Sequence, residues 1–483
     1  MSIQAKSPLV PSLPVAELLL RIRNRTAHIG VVGLGYVGLP LAVEFGGTFR
    51  VTGFDIDRQR VANIKRGESH IIDVPSARIL SLVKQGTFDA SADYNGVADC
   101  DAIVICVPSP LAKSKAPNVS YIERAAESIA SNLRPGQLVV LASTTYPGTT
   151  DEVLLPLFAS QGLELDRDFL LAFSPERVDP GNKHYSINKI PTVVGGCSAL
   201  STIAATELYD AVMEHVHPVS SARAAEASKL LENTFRLVNI GLVNEIAQLC
   251  AHLGIDTSEV IEAAATKPFG FMPFHPGPGA GGHCIPVDPL YLSWRARQQG
   301  FHPGLIELAD KVNSEMPDHV VRLASDALNE QGKALKGARV LLLGVAYKEN
   351  IDDARQSPAI PIVDRLRAKF ADVSYHDSYI RRLHIDLEEM PEWRPRRASL
   401  PLERRRRLSE ASSSRVGRRR DDWLESVPLT DQAIARADCI IILTKHDGVD
   451  YGRVVRLASV VIDTRNATAY EQRLASGAKV IRL

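Results

Sequence analysis

The chain has 483 residues, which suggests about three domains at roughly 150 residues each. Its 56 basic and 56 acidic residues give a formal net charge of zero, which argues against an overall attraction to nucleic acid or an anionic membrane. No apolar run reaches the about 18 residues of a membrane span, and the first residues lack a signal-peptide pattern. The six scattered cysteines form no CxxC pair, so we expect no metal site and a reduced, cytoplasmic protein.

The first part of the chain, to about residue 215, alternates apolar runs of strand length with helical patterns. A short amphipathic helix at 16–25 precedes it. Such alternation predicts a parallel sheet with helices on both faces. The predicted strands are 28–35, 50–57, 100–108, 137–144, 168–175 and 191–196. Cys100 and Cys106 lie in or beside these runs, as Cys439 does in a later one, and we predict that all three are buried.

A helical middle follows, and a second α/β pattern comes after it. Long helical patterns occupy 222–253 and 257–265, a Gly/Pro-rich stretch occupies 268–289, and helix resumes to about residue 331. Further strands are predicted at 338–347, 371–377, 438–446 and 459–466. The expected fold class is α/β: two Rossmann-like parallel-sheet domains joined by a helical middle domain with a long central helix. The predicted divisions are a leader (1–27), the first α/β domain (28–217), the helical domain (218–331) and the second α/β domain (332–483).

An arginine-rich segment at 381–420 interrupts the last domain. It holds thirteen Arg and six acidic residues and has no apolar periodicity. A solvated, flexible surface insertion is the interpretation we favour. An arm that binds an anionic partner is the alternative, which the lack of interleaved aromatic residues disfavours.

The GLGYVG sequence at 33–38 is a GxGxxG motif between an apolar strand and a helical segment. Its first glycine permits a tight turn, the second lets backbone approach a pyrophosphate, and the third allows close packing of helix on strand. Asp55 ends the second strand 22 residues after Gly33. There it would accept hydrogen bonds from the ribose hydroxyls and repel a 2′-phosphate. The sequence therefore predicts an NAD site, a preference that Arg58 and Arg60 temper.

Cys284 lies in the segment GGHCIPVDP (281–289), whose glycines and prolines indicate an irregular loop rather than a core. A thiol suits a dehydrogenase that carries an aldehyde to an acid, because hydride leaves readily from a thiohemiacetal. Such chemistry needs a cation or hydrogen-bond donor near the developing oxyanion. Lys229 and Asn233 share one face of the long helix and could supply both, although a helical lysine is more often solvated.

Seven motifs occur in order along nearly the whole chain, from residue 28 to about residue 468. They are GLGYVG (33–38), STTYPGT (143–149), SPER (174–177), SKLLENTF (228–235), GPGAGGHCIPVDP (277–289), GVAYKENIDDARQSP (344–358) and IDTRN (462–466). With these motifs the sequence resembles the UDP-glucose/GDP-mannose dehydrogenase family of nucleotide-sugar 6-dehydrogenases. The resemblance implies that 28–217 binds NAD, that 332–483 binds a UDP-sugar, and that the long helix is central to a homodimer. From the residues alone, that helix could instead be buried between the flanking domains.

The motifs and the resemblance together give three groups of candidate site residues. The catalytic group is Cys284, Lys229, Asn233, Asp288, Thr144 and Glu176. The cofactor-binding group is Gly33, Gly35, Tyr36, Val37, Gly38, Asp55, Arg60, Thr144 and Arg355. The substrate-binding group is Lys229, Asn233, Gly281, Gly282, Lys348 and Arg465.

The resemblance also implies a role for each catalytic residue. Cys284 is similar to the family nucleophile, and Lys229 with Asn233 to the pair that stabilises the oxyanion. Asp288 and Thr144 are similar to residues that hold a catalytic water, and Glu176 to a carboxylate that assists thioester hydrolysis.

The expected reaction oxidises a C6 alcohol through an aldehyde and a Cys284 thioester to a carboxylate, and two NAD are reduced in succession. The GPGAGGHCIPVDP segment is similar to enzymes acting on UDP-N-acetylhexosamines, and UDP-N-acetylglucosamine is the favoured substrate for a surface-polysaccharide precursor. UDP-N-acetylmannosamine, UDP-N-acetylgalactosamine and UDP-glucose stay open as alternatives. The chain lacks an arginine at 269–274, where many members of the family carry one. A catalytically silent NAD- and UDP-sugar-binding protein is the alternative from another class, and the intact catalytic set argues against it.

Overall fold

The computed structural model describes residues 11–71, 73–112, 114–177, 185–282, 284–385, 423–469 and 477–483. These residues divide by contact into two compact units. The first unit comprises Met1–Arg236 and Val287–Glu307, and the second comprises Leu237–Pro286 and Leu308–Leu483. The domain boundaries predicted from the sequence stay a prediction.

The first unit contains an eight-stranded sheet of order β3-β2-β1-β4-β5-β6-β7-β8. Its strands are β1 (His28–Val32), β2 (Arg50–Phe54), β3 (Phe88–Ser91), β4 (Ala102–Ile105), β5 (Gln137–Leu141), β6 (Phe169–Phe173), β7 (Thr192–Gly196) and β8 (Val216–Pro218). Neighbouring strands pair in parallel from β3 to β6, β7 runs antiparallel to β6, and β8 is parallel to β7. The chain reverses its order between β1 and β4, where ligands of doubly wound sheets bind at the carboxyl ends of the strands.

Helices cover both faces of this sheet because its central strands are apolar on both sides. The helices before the long one are α1 (Leu13–Arg23), α2 (Gly38–Gly46), α3 (Arg58–Lys65), α4 (Ser76–Gln85), α5 (Ser120–Ala130), α6 (Leu155–Ala159) and α7 (Ala199–Asp210). Two separate buried clusters, one on each face, form the core. Cys100 and Cys106 lie in these clusters, as predicted.

The long helix α8 (Ala222–Leu253) begins in the first unit and ends in the second. It is followed by α9 (Thr257–Ala265), α10 (Asp288–Gln298) and α11 (Gly304–Glu330). Leu230, Leu237 and Ala247 are buried, whereas Phe235, Leu242 and Leu249 are exposed on the same helix. The helix therefore packs one face into the chain and presents a second apolar face to solvent.

The second unit has a five-stranded parallel sheet of order β10-β9-β13-β14-β15. Its strands are β9 (Arg339–Leu343), β10 (Asp372–His376), β13 (Cys439–Ile442), β14 (Val460–Asp463) and β15 (Lys479–Arg482), with helices α12 (Ala359–Ala368), α13 (Asp431–Arg436) and α14 (Tyr451–Leu457). The first sheet is parallel except between β6 and β7, and the second is parallel throughout. Together with the long helix they confirm the predicted fold class. Cys439 is fully buried on β13, as predicted.

The start of the arginine-rich segment belongs to a small separate sheet. Strand β11 (Arg382–His384) pairs antiparallel with β12 (Trp423–Glu425). The predicted insertion, 381–420, therefore begins in regular structure. The expectation that most of it is flexible falls on residues 386–420, which lie outside the described residues.

Among the described residues, no helix is long and apolar enough to cross a bilayer.

Candidate active site

The GxGxxG turn lies between β1 and α2, at the carboxyl end of the sheet. Gly33 has φ +91°, and a Cβ on it would come 2.7 Å from the Cys106 carbonyl oxygen. A Cβ on Gly38 would lie 1.8 Å from the Gly33 carbonyl oxygen, so helix and strand pack there as predicted. A Cβ on Gly35 would meet no atom within 4 Å, which leaves the open space that a pyrophosphate needs.

Asp55 lies just beyond β2 and is buried. Its carboxylate accepts the N–H groups of Leu34 at 2.9 Å and Asp57 at 2.8 Å. An ionised carboxylate has about four acceptor positions, so ribose hydroxyls can still bind it. Arg60 Nη1 lies 3.5 Å from Asp55 Oδ2 and partly neutralises the repulsion of a 2′-phosphate. The glycine turn at 33–38 and Asp55 together fit the adenosine half of NAD.

Three of the predicted catalytic residues come together on α8 and at the start of α10. Lys229, Asn233 and Asp288 are each more than nine-tenths buried. Asn233 Nδ2 donates to Asp288 Oδ2 at 2.6 Å. Burial raises the pKa of Asp288 to about 6, while the Lys229 charge and the Asn233 hydrogen bond act in the opposite direction. A carboxyl group with this pKa can exchange a proton near neutral pH.

The predicted residues Thr144 and Glu176 follow β5 and β6, at the same end of the sheet as the glycine turn. The Thr144 carbonyl oxygen accepts from Ser109 Oγ at 2.6 Å, and Tyr291 Oη donates to the Ser109 carbonyl. Glu176 Oε1 accepts from the Arg177 N–H at 2.7 Å. Arg177 in turn pairs with Glu232 at 2.7 Å, beside Asn233 on α8. Both loops are thus tied to the helices that carry the buried cluster.

Apolar packing supports the same cluster. Tyr146, Leu230 and Tyr291 form a small buried group, and Leu230 and Tyr291 lie on the helices that carry Lys229 and Asp288. The Tyr146 and Trp294 ring centroids lie 4.9 Å apart, and the Arg295 guanidinium lies 5.8 Å from the Tyr146 centroid. These contacts fix α10, whose first residue is Asp288.

The cysteine loop belongs to the second unit, where Cys284 is half-buried. Burial raises the pKa of Cys100, Cys197 and Cys439 to about 12, which makes those thiols poor nucleophiles. His283 lies outside the described residues.

Glycines bring the cysteine loop against the loop after β9. Gly282 has φ +82°, and a Cβ on it would lie 2.8 Å from the Tyr347 ring. A Cβ on Gly281 would lie 2.9 Å from Pro358. Lys348 therefore follows a residue that packs directly on Gly282. These contacts place three predicted substrate residues in one part of the second unit.

Arg465, after β14, packs against the start of the same glycine-rich segment. A Cβ on Gly277 would come 2.6 Å from Arg465 Nη1, and Arg465 Nε donates to the Leu443 carbonyl at 2.8 Å. Burial lowers the pKa of this guanidinium, while Glu349 and Asp463 act in the opposite direction. Arg355 pairs instead with Asp353 at 2.6 Å, and its cofactor role stays a prediction.

Several residues that support the site carry no motif signal. Asn244 accepts from the Gly277 N–H at 2.9 Å and donates to Asn313 Oδ1 at 2.9 Å, so two buried amides connect helices α8 and α11 to the glycine-rich segment. Glu226 and Tyr291 hold the loops of the first unit. A hydrogen bond between residues distant in sequence leaves no pattern in a single chain, so these partners could not be foreseen.

Comparison with known proteins identifies the family. Three family models match consecutive segments: the NAD binding domain at residues 27–213, the central domain at 223–315 and the UDP binding domain at 341–470. The chain belongs to the UDP-glucose/GDP-mannose dehydrogenase family. It is an NAD-dependent nucleotide-sugar 6-dehydrogenase, which confirms the resemblance and the cofactor predicted from the sequence.

Individual relatives carry different sugar names. A Pseudomonas aeruginosa protein named UDP-N-acetyl-D-glucosamine 6-dehydrogenase is 38% identical over 358 residues, which covers 73% of this chain and 83% of that protein. The structure of a UDP-D-ManNAc dehydrogenase from Pyrococcus horikoshii has a TM-score of 0.80 at 30% identity and covers 94% of this chain and 98% of its own. An NDP-N-acetyl-D-galactosaminuronic acid dehydrogenase from Methanosarcina mazei has a TM-score of 0.76 at 30% identity, with 98% of both chains covered.

Proposed function

We propose that this dehydrogenase oxidises the C6 hydroxymethyl group of a UDP-N-acetylhexosamine to a carboxylate, with UDP-N-acetylglucosamine as the preferred substrate. The observation that carries the chemistry is the buried cluster of Lys229, Asn233 and Asp288. The choice of sugar is supported by the name of the 38% identical relative and by the GPGAGGHCIPVDP segment. The proposal includes a cytoplasmic enzyme that supplies a surface-polysaccharide precursor.

The first half of the proposed reaction removes one hydride and one proton from the alcohol, which becomes an aldehyde. NAD, when bound, accepts the hydride from C6 in each of the two oxidations. Asp288 takes the hydroxyl proton through a water that Thr144 helps to hold. Lys229 and Asn233 stabilise the negative charge on the C6 oxygen, because a cation and an amide donor in a buried site strengthen that interaction.

The second half is assigned to Cys284. Its thiolate adds to the aldehyde carbon, so the negative charge moves to the C6 oxygen beside Lys229 and Asn233. This thiohemiacetal anion becomes a thioester when its hydride is lost, which the second NAD would accept. Water then attacks the thioester carbon, the C–S bond breaks, and the carboxylate leaves Cys284 as thiol. Glu176 is assigned to assist this hydrolysis by accepting a proton from the water.

Binding is divided between the two sheets. The glycine turn of 33–38 and Asp55 are proposed to hold NAD, with Tyr36 and Val37 on the same turn. Lys348, Arg465 and the backbone of Gly281 and Gly282 are proposed to hold the UDP-sugar.

Counting NADH per sugar tests the reaction. Wild-type enzyme with limiting UDP-N-acetylglucosamine and excess NAD should form two NADH and one uronic acid per sugar consumed. The Cys284→Ser variant should bind both ligands but form no net acid, because serine is a poor nucleophile without an adjacent base. One NADH per sugar in the wild type, or near-normal NADH formation by the variant, contradicts the covalent mechanism.

A panel of UDP-sugars tests the substrate. We expect the highest kcat/KM with UDP-N-acetylglucosamine, followed by its N-acetylmannosamine and N-acetylgalactosamine counterparts and then UDP-glucose. A higher kcat/KM with either epimer moves the assignment to that sugar, and a preference for UDP-glucose overturns the N-acetylhexosamine proposal.

A further inference from the structure

Glu226 is a fully buried carboxylate on α8, one helical turn before Lys229 and two turns before Asn233. It accepts three hydrogen bonds from the segment that follows β5. The donors are the Gly148 N–H at 2.6 Å, the Thr150 N–H at 2.9 Å and Thr150 Oγ1 at 2.6 Å. A single side chain of α8 therefore binds Gly148 and Thr150, at the end of the turn formed by residues 143–150.

The turn that Glu226 holds, residues 143–150, is the one that carries Thr144. Its first residue is anchored on the other side, where Ser143 Oγ donates to the Val107 carbonyl at 2.7 Å. Within the turn, the Thr145 and Thr149 hydroxyls lie 2.6 Å apart. Gly148 has φ +107°, a conformation that L side chains rarely adopt. The turn is thus tightly specified, and Glu226 connects it to the helix face of Lys229.

Burying this charge opposes folding, so a packing role alone does not account for it. Burial raises the pKa of Glu226 to about 7. The three hydrogen bonds act against this rise, and the nearby Asp151 charge adds to it. The neighbouring arginines are engaged with other groups: Arg223 pairs with Asp151 at 2.6 Å, and Arg295 pairs with Glu152. An apolar residue of similar size would fill the space without the cost of a buried carboxylate. It would also leave the three donors of the turn unsatisfied.

We propose that Glu226 is a positioning residue for the dehydrogenase reaction, which fixes the 143–150 turn and Thr144 relative to Lys229 and Asn233. This inference rests on the role assigned to Thr144 in the proposed function. Glu226 acts through the turn and touches no reacting atom. Positioning of this kind has large kinetic effects, since a displacement of about 1 Å can lower a rate by about a hundredfold.

A double-mutant cycle tests whether Glu226 acts through Thr144. The variants are Glu226→Gln, Thr144→Ala and their combination, assayed with saturating NAD and UDP-N-acetylglucosamine. Gln keeps the size of Glu but offers one acceptor oxygen in place of two. We expect Glu226→Gln to lower kcat by about tenfold to a hundredfold and to leave the KM for NAD within about threefold. The combined variant should be no slower than Thr144→Ala within about twofold, since both changes remove the same contribution.

Asp101→Asn is the matched control, because Asp101 is a buried carboxylate of the first unit that accepts the His28 N–H at 2.9 Å at the opposite end of the sheet. It should lower the melting temperature and leave kcat unchanged. If Glu226→Gln does not fold, Thr150→Val takes its place in the double-mutant cycle. This change removes one donor to Glu226 and should lower kcat by about threefold or more.

Two results overturn the inference. One is a folded Glu226→Gln variant with wild-type kcat, and the other is a combined variant whose loss equals the product of the two single losses. Wild-type kcat in Thr144→Ala overturns the Thr144 assignment of the proposed function, and the inference with it. The Thr144→Ala variant therefore distinguishes failure of the Thr144 assignment from failure of the Glu226 inference.

Discussion

Asp288 is deeply buried, and the proposed function assigns it a proton transfer, so its ionisation should be visible in the pH dependence of the reaction. Its pKa is raised to about 6, and the charged form is the one that accepts a proton. We expect kcat to be independent of this group well above pH 6, to be halved near pH 6, and to fall about tenfold for each pH unit well below it. A pH profile of kcat measures this limb, and constant kcat down to pH 5 contradicts the role.

Asn233→Ala tests the ionisation of Asp288 further, because the direction in which its pKa should move is known. The Asn233 hydrogen bond stabilises the charged carboxylate, so its removal should raise the pKa of Asp288 and move the acid limb to higher pH. The overall rate should also fall because the proposed oxyanion donor is lost. A limb that moves to lower pH is incompatible with the observed hydrogen bond.

Asp55 should determine the choice between NAD and NADP. Asp55→Ala removes the proposed ribose acceptor and its repulsion of a 2′-phosphate, so the KM for NAD should rise and discrimination against NADP should relax. The expected loss is about 1.5–3 kcal/mol, the range for a hydrogen bond to a charged group. Initial rates with each cofactor provide the measurement.

Asp57→Ala is the matched control for Asp55. Asp57 caps α3 by accepting the N–H groups of Gln59 at 2.9 Å and Arg60 at 3.2 Å. Its loss should lower stability by about 1 kcal/mol and leave the cofactor preference unchanged. Equal use of both cofactors by the wild type would make the Asp55 assignment wrong.

Residues with a local sequence signature were predictable at this scale. Gly33, Gly38 and Asp55 have fixed spacing around one turn, and the structure gives each glycine the close contact expected of it. Glu226 has no such signature, because its partners lie 76 and 78 residues away in sequence. A glutamate in a helical pattern is usually solvated, so a buried one could not be foreseen.

The glycine-rich segment packs closely on the loop after β9 because Gly282 has no side chain. Gly282→Ala would place a methyl group 2.8 Å from the Tyr347 ring at φ +82°. We expect a loss of about 2–4 kcal/mol in unfolding free energy, from left-handed backbone strain and overpacking together. Gly270→Ala is the control, because Gly270 has φ +70° with no atom within 4 Å of an added Cβ.

Denaturant unfolding of both variants separates the two costs. Gly270→Ala should lose about 1–2 kcal/mol, the cost of the backbone conformation alone. Equal losses in the two variants contradict the proposed contact with Tyr347.

The sheets of the two units share a local arrangement, and only the copy in the first unit has a sequence motif. In the first unit Asp55 follows β2 and accepts the Leu34 N–H, one residue after Gly33. In the second unit Asp377 follows β10 and accepts the Val345 N–H at 2.6 Å, one residue after Gly344. The second turn lacks a GxGxxG pattern, so no motif pointed to it.

The environments of the two carboxylates differ. Asp377 also accepts the N–H groups of Tyr379 and Ile380, and His446 Nε2 lies 3.1 Å away. These hydrogen bonds lower the pKa of Asp377 to about 2 against the effect of its burial. With its acceptor positions occupied, this carboxylate holds the loop before Lys348 and is poorly suited to bind a ribose.

Strand prediction succeeded for the apolar central strands and failed for short, partly exposed ones. Strands β3, β8, β11, β12 and β15 have three or four residues each, with polar or exposed positions. They lie at sheet edges or in the two-stranded sheet. Their pairing depends on a neighbouring strand rather than on their own hydrophobic pattern, so they could not be predicted from the pattern of their residues.

At the scale of the whole molecule, α8 presents an apolar stripe to solvent. Phe235, Leu242 and Leu249 recur every seven residues, and Leu231 and Leu253 extend the stripe at each end. These five side chains are 45% to 64% exposed. The sequence predicted a helix apolar nearly all round but could not distinguish burial within one chain from burial against a second copy. Such a stripe with heptad spacing suits a helix-to-helix contact.

We therefore expect a homodimer in which this stripe is covered by a second copy of the chain. Leu242→Glu combined with Leu249→Glu should convert it to a monomer, because two charges would have to be buried in the contact. Leu13→Glu combined with Leu20→Glu is the control on α1, where both leucines are also exposed. Light scattering should give twice the 52.7 kDa chain mass for wild type and control, and the single chain mass for the α8 variant. A wild-type monomer at micromolar concentration contradicts the homodimer. An α8 variant that stays dimeric places the contact on another surface.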